Sequence, residues 1–210
     1  MTKINPSSLF EDAAEAGAAT TVLLDRPFDI APDRGLTHSV EELAELVLEA
    51  AGWLAAAGAG PGDRVAILKD NHWDSDLLAY AAIRIGALPA KIRSDLAPQA
   101  LELLLRRLEP AVLVTTAATL ETASRDGIDL AGLAGRAVTI DQPAPGALAL
   151  EDVGGHKAPP RRRRGDDEPL IVCLTSGTTG VPKLAVHSTT TIIRCLAEFE
   201  ARRYPFFGCR

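Results

Sequence analysis

Short apolar runs alternate with amphipathic stretches of helical period along most of this chain, and that alternation narrows the fold to a layered α/β architecture. Residues 20–24, 64–68, 111–115 and 136–140 read as strands. Between them, Ser39 and Glu42 have the spacing of a capping box, and Leu43, Leu46, Val47, Ala50 and Leu54 fall on one face of the helix that follows, until Gly58, Gly60, Pro61 and Gly62 stop it. Asp70 and Asn71 are candidate caps for a helix through Ile85, closed by Gly86. Asp95 is a candidate cap for a helix carrying Leu101, Leu104, Leu105 and Leu108, which Pro110 ends. Ser8 and Glu11 repeat the capping-box spacing before a short helix to Gly17. The connections are long enough for parallel crossovers, so mostly parallel sheets with flanking helices are expected.

With 210 residues and 47% hydrophobic composition, the chain can bury a proper core. Its 22 Lys+Arg against 28 Asp+Glu give a formal charge of −6, contrary to the cationic excess of a general nucleic-acid binder, so no nucleic-acid partner is expected. The N-terminus lacks the apolar stretch of a secretory signal, and no run is long enough to span a bilayer, which predicts a cytoplasmic protein without a membrane partner. Cys173, Cys195 and Cys209 are odd in number and lack metal-ligand spacing, so they read as reduced thiols.

The composition changes after Asp141. Residues 1–142 form an expected α/β unit. Residues 143–168, rich in Pro and Gly and carrying Arg161 to Arg164 beside Asp166, Asp167 and Glu168, read as a solvated linker. Residues 169–210 then read as a strand, a loop, a second strand and a helix that begin another unit. Three isolated features have plain structural readings: Trp53 as core, His187 as structural, and the His72–Asp74 pair as a helix-start cap rather than a metal site, two ligands being too few.

Chemistry is concentrated where the apolar strand 169–175 runs into Ser176-Gly177-Thr178-Thr179-Gly180-Val181-Pro182-Lys183. Gly177 and Gly180 let main-chain N–H groups approach an oxyanion without an intervening side chain. Thr175, Ser176, Thr178 and Thr179 add hydroxyls, Pro182 restricts the turn, and Lys183 supplies a compact positive charge, a set suited to a polyphosphate. The spacing is near that of the P-loop of NTPases, which requires Gly, four residues, then Gly-Lys and Ser or Thr. Counted from Gly177, the second glycine is Pro182 and the magnesium-binding hydroxyl is Leu184, so that reading fails. A short strand at 184–186 and a cap at Ser188 for a helix 189–203 also replace the helix that a P-loop places at its lysine.

The run LTSGTTGVPKLAVHS, Leu174 to Ser188, resembles the phosphate-loop signature of the AMP-forming, adenylate-forming ligase superfamily, which includes acyl-CoA synthetases, nonribosomal-peptide adenylation domains and luciferases. Leu184 stands where much of that family has glycine, as in aryl-acid-activating members, and His187-Ser188-Thr189 is similar to a run in short-acyl and benzoate CoA ligases. Leu36-Thr37-His38 with Glu42-Leu43, Gly60-Pro61-Gly62-Asp63-Arg64-Val65-Ala66, and Ile85-Gly86-Ala87-Leu88-Pro89-Ala90 are similar to the family's framework segments, with Lys91-Ile92-Arg93 in place of a more neutral run.

The resemblance implies a two-step reaction. A small-molecule carboxylate attacks the α-phosphate of ATP and releases pyrophosphate, and the acyl-AMP then passes its acyl group to CoA or to the phosphopantetheine of a carrier protein. It implies that Thr175, Ser176, Gly177, Thr178, Thr179, Gly180 and Lys183 hold the β- and γ-phosphates, with Mg²⁺ as their companion. The family's magnesium-holding acid, adenine-side aromatic segment, ribose-binding aspartate and C-terminal-domain lysine are not recognisable here, so the chain reads as an N-terminal portion that needs a missing C-terminal portion. No catalytic residue is identified. The alternative is a non-catalytic nucleotide-binding or interaction module that acts with a partner chain.

Overall fold

The parallel alternation expected from the sequence is present in the computed structural model, which describes residues 5–175 and 182–195. In chain order the elements are α1 (Leu9–Glu15), β1 (Thr21–Leu23), β2 (Thr37–Ser39), α2 (Val40–Ala56), β3 (Arg64–Lys69), α3 (Asp74–Arg84), β4 (Leu88–Arg93), α4 (Pro98–Leu108), β5 (Val112–Thr115), α5 (Ala117–Arg125), β6 (Arg136–Thr139), β7 (Leu148–Ala149), α6 (Leu150–Val153), β8 (Pro169–Thr175), β9 (Lys183–Ser188) and α7 (Thr189–Cys195). A seven-stranded sheet has the order β7-β6-β5-β3-β4-β8-β9, and β1 and β2 form a separate antiparallel pair. Every pairing in the large sheet is parallel except β8 with β9.

Alternation along the strands feeds two cores. Val65, Ile67, Val112, Val114 and Val138 point to the face covered by α2 and α3, where Leu43, Leu46, Val47, Ala50, Leu54, Leu77 and Leu78 are buried. Ala66, Leu68, Ala90, Ile92, Leu113, Ala137 and Val172 point to the other face, against Leu101, Leu104, Leu105 and Leu108 of α4 and Leu120 of α5. A sheet buried on both sides explains why its strands read as nearly continuous apolar runs. Trp53 packs against the first core, as its helical spacing predicted.

Some local expectations hold and others give way. The Ser39–Glu42 capping box is complete, with Glu42 N–H donating to Ser39 Oγ at 3.2 Å and Ser39 N–H to the Glu42 carboxylate at 2.8 Å. Ser188 Oγ accepts from Thr191 N–H at 3.2 Å and caps α7 as expected. Ser8 and Glu11 form no such box: Ser8 Oγ donates to Asp12 at 2.7 Å, and Glu11 is drawn away to Arg84 at 3.2 Å. Asp70 and Asn71 do not cap α3, whose first turn follows Trp73. Asp95 does not cap α4, because Arg93 holds its carboxylate and Ala97 precedes the helix.

Strand β4 is absent from the sequence reading, where Pro89, Lys91 and Arg93 obscure it. Leu88 N–H donates toward β3, to the Asp63 carbonyl at 2.7 Å, so the next residue, Pro89, turns its nitrogen toward β8. Pairing there registers only at Ala90–Val172, and the missing N–H removes no ladder bond.

The segment expected to be solvated, 143–168, carries β7 and α6 and then crosses the α2–α3 face as a bound strap. Arg162 N–H donates to the Arg84 carbonyl at 3.0 Å, Arg84 Nη1 to the Pro159 carbonyl at 2.8 Å, and Arg164 Nη2 to the Ala87 carbonyl at 2.7 Å. Burial lowers the Arg164 guanidinium from its ordinary pKa, with Glu168 partly opposing. The sheet carries straight on beyond the strap, through β4 into β8.

The strap also explains a glycine inside α2. A Cβ on Gly52 would lie 1.9 Å from the His156 carbonyl oxygen, a backbone atom that cannot swing aside. Gly52→Ala therefore reverses the usual helix-propensity gain: urea denaturation is expected to show a loss of about 1 to 3 kcal/mol from overpacking, against the gain of about 1 kcal/mol that an open helix site would give.

Candidate functional site

In open α/β sheets, ligands gather outside the carboxyl ends of the parallel strands. Thr175 ends β8 at that edge, and it pairs with Lys183, the first residue of β9, so the two strands form a hairpin whose last described rung is Thr175–Lys183. Of the residues the sequence singles out, Thr175 and Lys183 are thus brought opposite one another. Ser176, Gly177, Thr178, Thr179 and Gly180 lie outside the described residues.

Packing fixes which way the rung faces. Leu174 and Leu184, also a pair, pack against the α4–α5 core, so Thr175 and Lys183 project to the opposite face, the side of α3. Lys183 is exposed, and among the described residues no carboxylate forms an ion pair with it. An unneutralised ammonium beside a hydroxyl is a ready partner for an oxyanion. The described donors at this rung suit phosphate oxygens but not Mg²⁺, which is held through carboxylates and phosphates. Any magnesium here would come with the nucleotide.

Beside the hairpin, a groove of about 390 Å³ lies between β4 and β8, lined by Lys91, Arg93, Leu96, Cys173, Thr175 and Pro182 among others. Burial pushes the Cys173 thiol above its ordinary pKa despite the opposing charge of Lys91, which keeps it protonated and a poor nucleophile at neutral pH. A larger cleft, about 730 Å³, runs along α5 and the 142–146 turn. Glu121 and Asp129 line it and no Lys or Arg does, so its field repels a polyphosphate despite its size.

A second cluster sits at the carboxyl end of β3. Asp29, His72 and Asp74 place one ligand atom each within 4.8 Å of one another, the arrangement of a small cation site. That position is already filled from within: Lys69 Nζ lies 2.5 Å from Asp74 and 2.7 Å from Asp29. Asp74 Oδ2 also accepts Asp29 N–H at 2.9 Å, and His72 Nδ1 lies 3.2 Å from Asp74. Asp74 therefore ties the loop before β2 to the sheet, where the sequence suggested only a helix cap. Lys69 ended an apolar strand and gave no sequence signal of this role.

Comparison with known proteins identifies the family. The model of the AMP-binding enzyme family matches residues 10–208, and the chain belongs to that family. Over 202 residues it is 39% identical to 3-amino-2-hydroxy-4-methoxybenzoate diazotase of Streptomyces cremeus, covering 85% of this chain and 36% of that protein. Its fold is similar to an anthranilate CoA ligase solved with anthranoyl-AMP, with a TM-score of 0.75 at 19% identity over 94% of this chain and 37% of that one. It is likewise similar to a benzoate CoA ligase from Burkholderia xenovorans, with a TM-score of 0.71 at 17% identity over 95% and 37%. The chain therefore spans little more than a third of the length of these relatives. Among the described residues no helix is long and apolar enough to cross a membrane.

The Lys69 cluster yields a test by pH. Burial pulls the Lys69 ammonium down, but the hydrogen bonds and charges of Asp29 and Asp74 outweigh it and hold the group above its ordinary 10.5. Burial raises Asp29, but Lys69 and Arg26 outweigh it and hold the carboxyl below 3.8. The stabilisation is present at neutral pH, lost as pH falls through the lowered Asp29 value, and lost as pH rises through the raised Lys69 value. Lys69→Met leaves the buried Asp74 carboxylate without its ammonium and Asp29 with Arg26 alone, and should cost about 3 kcal/mol at pH 7 by urea denaturation, with a smaller cost at an acid pH below the lowered Asp29 value, where the wild type has itself lost the Lys69–Asp29 pair. Equal costs at both pH values would separate the lysine from these carboxylates.

Proposed function

We propose that this chain supplies the phosphate-binding hairpin of an enzyme that activates a carboxylic acid as its acyl-AMP at the expense of ATP and passes the acyl group to a thiol, CoA or a carrier-protein arm. The observation that carries the reading is the Thr175–Lys183 rung at the carboxyl edge of a parallel sheet, with an exposed ammonium that no carboxylate among the described residues pairs, at the two ends of the Ser176-Gly177-Thr178-Thr179-Gly180 segment. Lys183 and the loop hydroxyls would hold the β- and γ-phosphates, and the charge that grows on departing pyrophosphate is what they would stabilise. Mg²⁺, carried by the nucleotide, would share that charge. Leu184 and the 39% identity to a diazotase named for an aromatic acid favour an aromatic carboxylate over a fatty one.

The 39% identity to a diazotase supports a second reading in which the activated oxyanion is nitrite and the acceptor an aromatic amine. Nitrite oxygen would displace pyrophosphate from ATP, and the amine would then attack nitrogen with AMP leaving and water lost. Both readings use the same phosphate hairpin and differ in the acid that supports exchange and in the acceptor.

The test is exchange of labelled pyrophosphate into ATP, measured with benzoate and separately with nitrite, in this chain and in any longer protein its reading frame encodes. Lys183→Ala is expected to lower the exchange rate by about 100-fold, a loss on the order of 3 kcal/mol of transition-state stabilisation. Exchange unaffected by Lys183→Ala would remove the hairpin from the reaction. Nucleotide binding without exchange under either acid would favour a non-catalytic module acting with a partner chain.

A further inference from the structure

Two more cations share the face of Lys183. Ala90 and Ile92 of β4 are buried in the α4–α5 core, so Lys91 and Arg93 project to the α3 side. Lys91 Nζ reaches Asp76 of α3 at 2.6 Å, consistent with that direction. The parallel register aligns Ala90 with Val172, and the same offset carried along both strands sets Lys91 level with Cys173 and Arg93 level with Thr175. Across β4, β8 and β9 the carboxyl edge therefore presents Arg93, Thr175 and Lys183 in one row, with Lys91 one step below. All but Lys183 line the 390 Å³ groove.

Each of the two groove cations is now held by an internal carboxylate in an exposed pair. Arg93 binds Asp95 through both arms of its guanidinium, with Nε 3.0 Å from Oδ1, and their side chains are 73% and 59% exposed. Lys91 and Asp76 are 34% and 39% exposed. Such pairs stabilise the fold weakly, so a ligand carrying several negative charges can exchange for them at small cost. The contrast with Lys69, sealed at 1% exposure between its carboxylates, is direct.

We infer that Lys91 and Arg93 form a second cationic arm of the polyphosphate site, engaging the terminal phosphates from the groove while Lys183 engages them from the hairpin. This rests on the reading of the hairpin as a phosphate site and adds to it the residues that set its affinity for the highly charged end of the ligand. Asp95 acts as an internal competitor: it occupies the guanidinium fork when no phosphate is bound and is displaced when one arrives.

The experiment titrates inorganic tripolyphosphate, and separately benzoate, into the 210-residue chain by calorimetry, with Arg93→Gln, Lys91→Gln, Asp95→Asn and Lys183→Ala as variants. Arg93→Gln and Lys91→Gln should each raise the tripolyphosphate Kd by about tenfold, and Asp95→Asn should lower it by about threefold, since a charge-assisted contact is removed or freed. The tightening in Asp95→Asn cannot come from a damaged fold. Unchanged tripolyphosphate affinity in Arg93→Gln and Lys91→Gln, with weakening in Lys183→Ala, overturns the inference and leaves the hairpin reading in place. Weakening in Arg93→Gln with no change in Lys183→Ala supports the groove and removes the hairpin reading. Sensitivity of benzoate alone to Arg93→Gln overturns the polyphosphate assignment in favour of the organic acid, and absence of tripolyphosphate binding to the wild type overturns the inference together with the reading it rests on.

Discussion

The parallel contact between β4 and β8 is the constraint on which the candidate site depends, because it carries the β8–β9 hairpin to the carboxyl edge of a sheet already built from earlier residues. Strand β7 lies at one edge of that sheet and β8 belongs near the other, so the chain between them must cross β6, β5, β3 and β4. The half-exposed crossing is held by hydrogen-bond partners along its path. The strap finds them at the carbonyls of Arg84 and Ala87 and in the arm of Arg84, and finds room over Gly52. The arginines that look like a solvated charge run are thus the means by which a distant hairpin is seated.

Legibility in the sequence followed the length scale of the interaction. Helix α2 could be read completely because its cap, its apolar face and its terminator all lie within one segment. The motif around Thr175 and Lys183 was legible for the same reason. Strand β4 was not, since its two outward cations and its proline make sense only beside α3 and beside a neighbour that leaves Pro89 unpaired. The false caps at Asp70 and Asp95 have one physical cause. Each carboxylate is held by a guanidinium instead of by a helix N-terminus: Asp70 meets Arg26 at 2.5 Å, and Asp95 meets the fork of Arg93 two residues before it. Cap spacing identifies one thing an acidic residue can do, and a guanidinium within reach redirects it.

Two lysines at the same edge of the sheet show how environment separates structure from function. Lys69 ends β3 and Lys183 opens β9, both at the carboxyl side. Lys69 is enclosed by Asp29 and Asp74, its charge spent on joining the early loop to the sheet, and it has no capacity left for a ligand. Lys183 has no described carboxylate partner and stands in water. A metal reading of the Asp29, His72 and Asp74 cluster fails for the same reason, since an ammonium already provides the cation those carboxylates require.

Charge binding and alignment are separable contributions to adenylation, and the described residues bear on them unequally. Cations and hydroxyls gathered at one rung can hold the tail of a nucleotide, which supplies affinity and stabilises the leaving group. Turnover needs more: the attacking oxygen must be held in line with the α-phosphate, and such positioning can account for about 7 to 11 kcal/mol of a barrier. The groove beside β8 sets the cations Lys91 and Arg93 beside the apolar Leu96, Ile171 and Leu174. On the proposed reading, affinity for the polyphosphate tail is the contribution this part of the fold would make, while rate would depend on elements that bring the acid to the same edge.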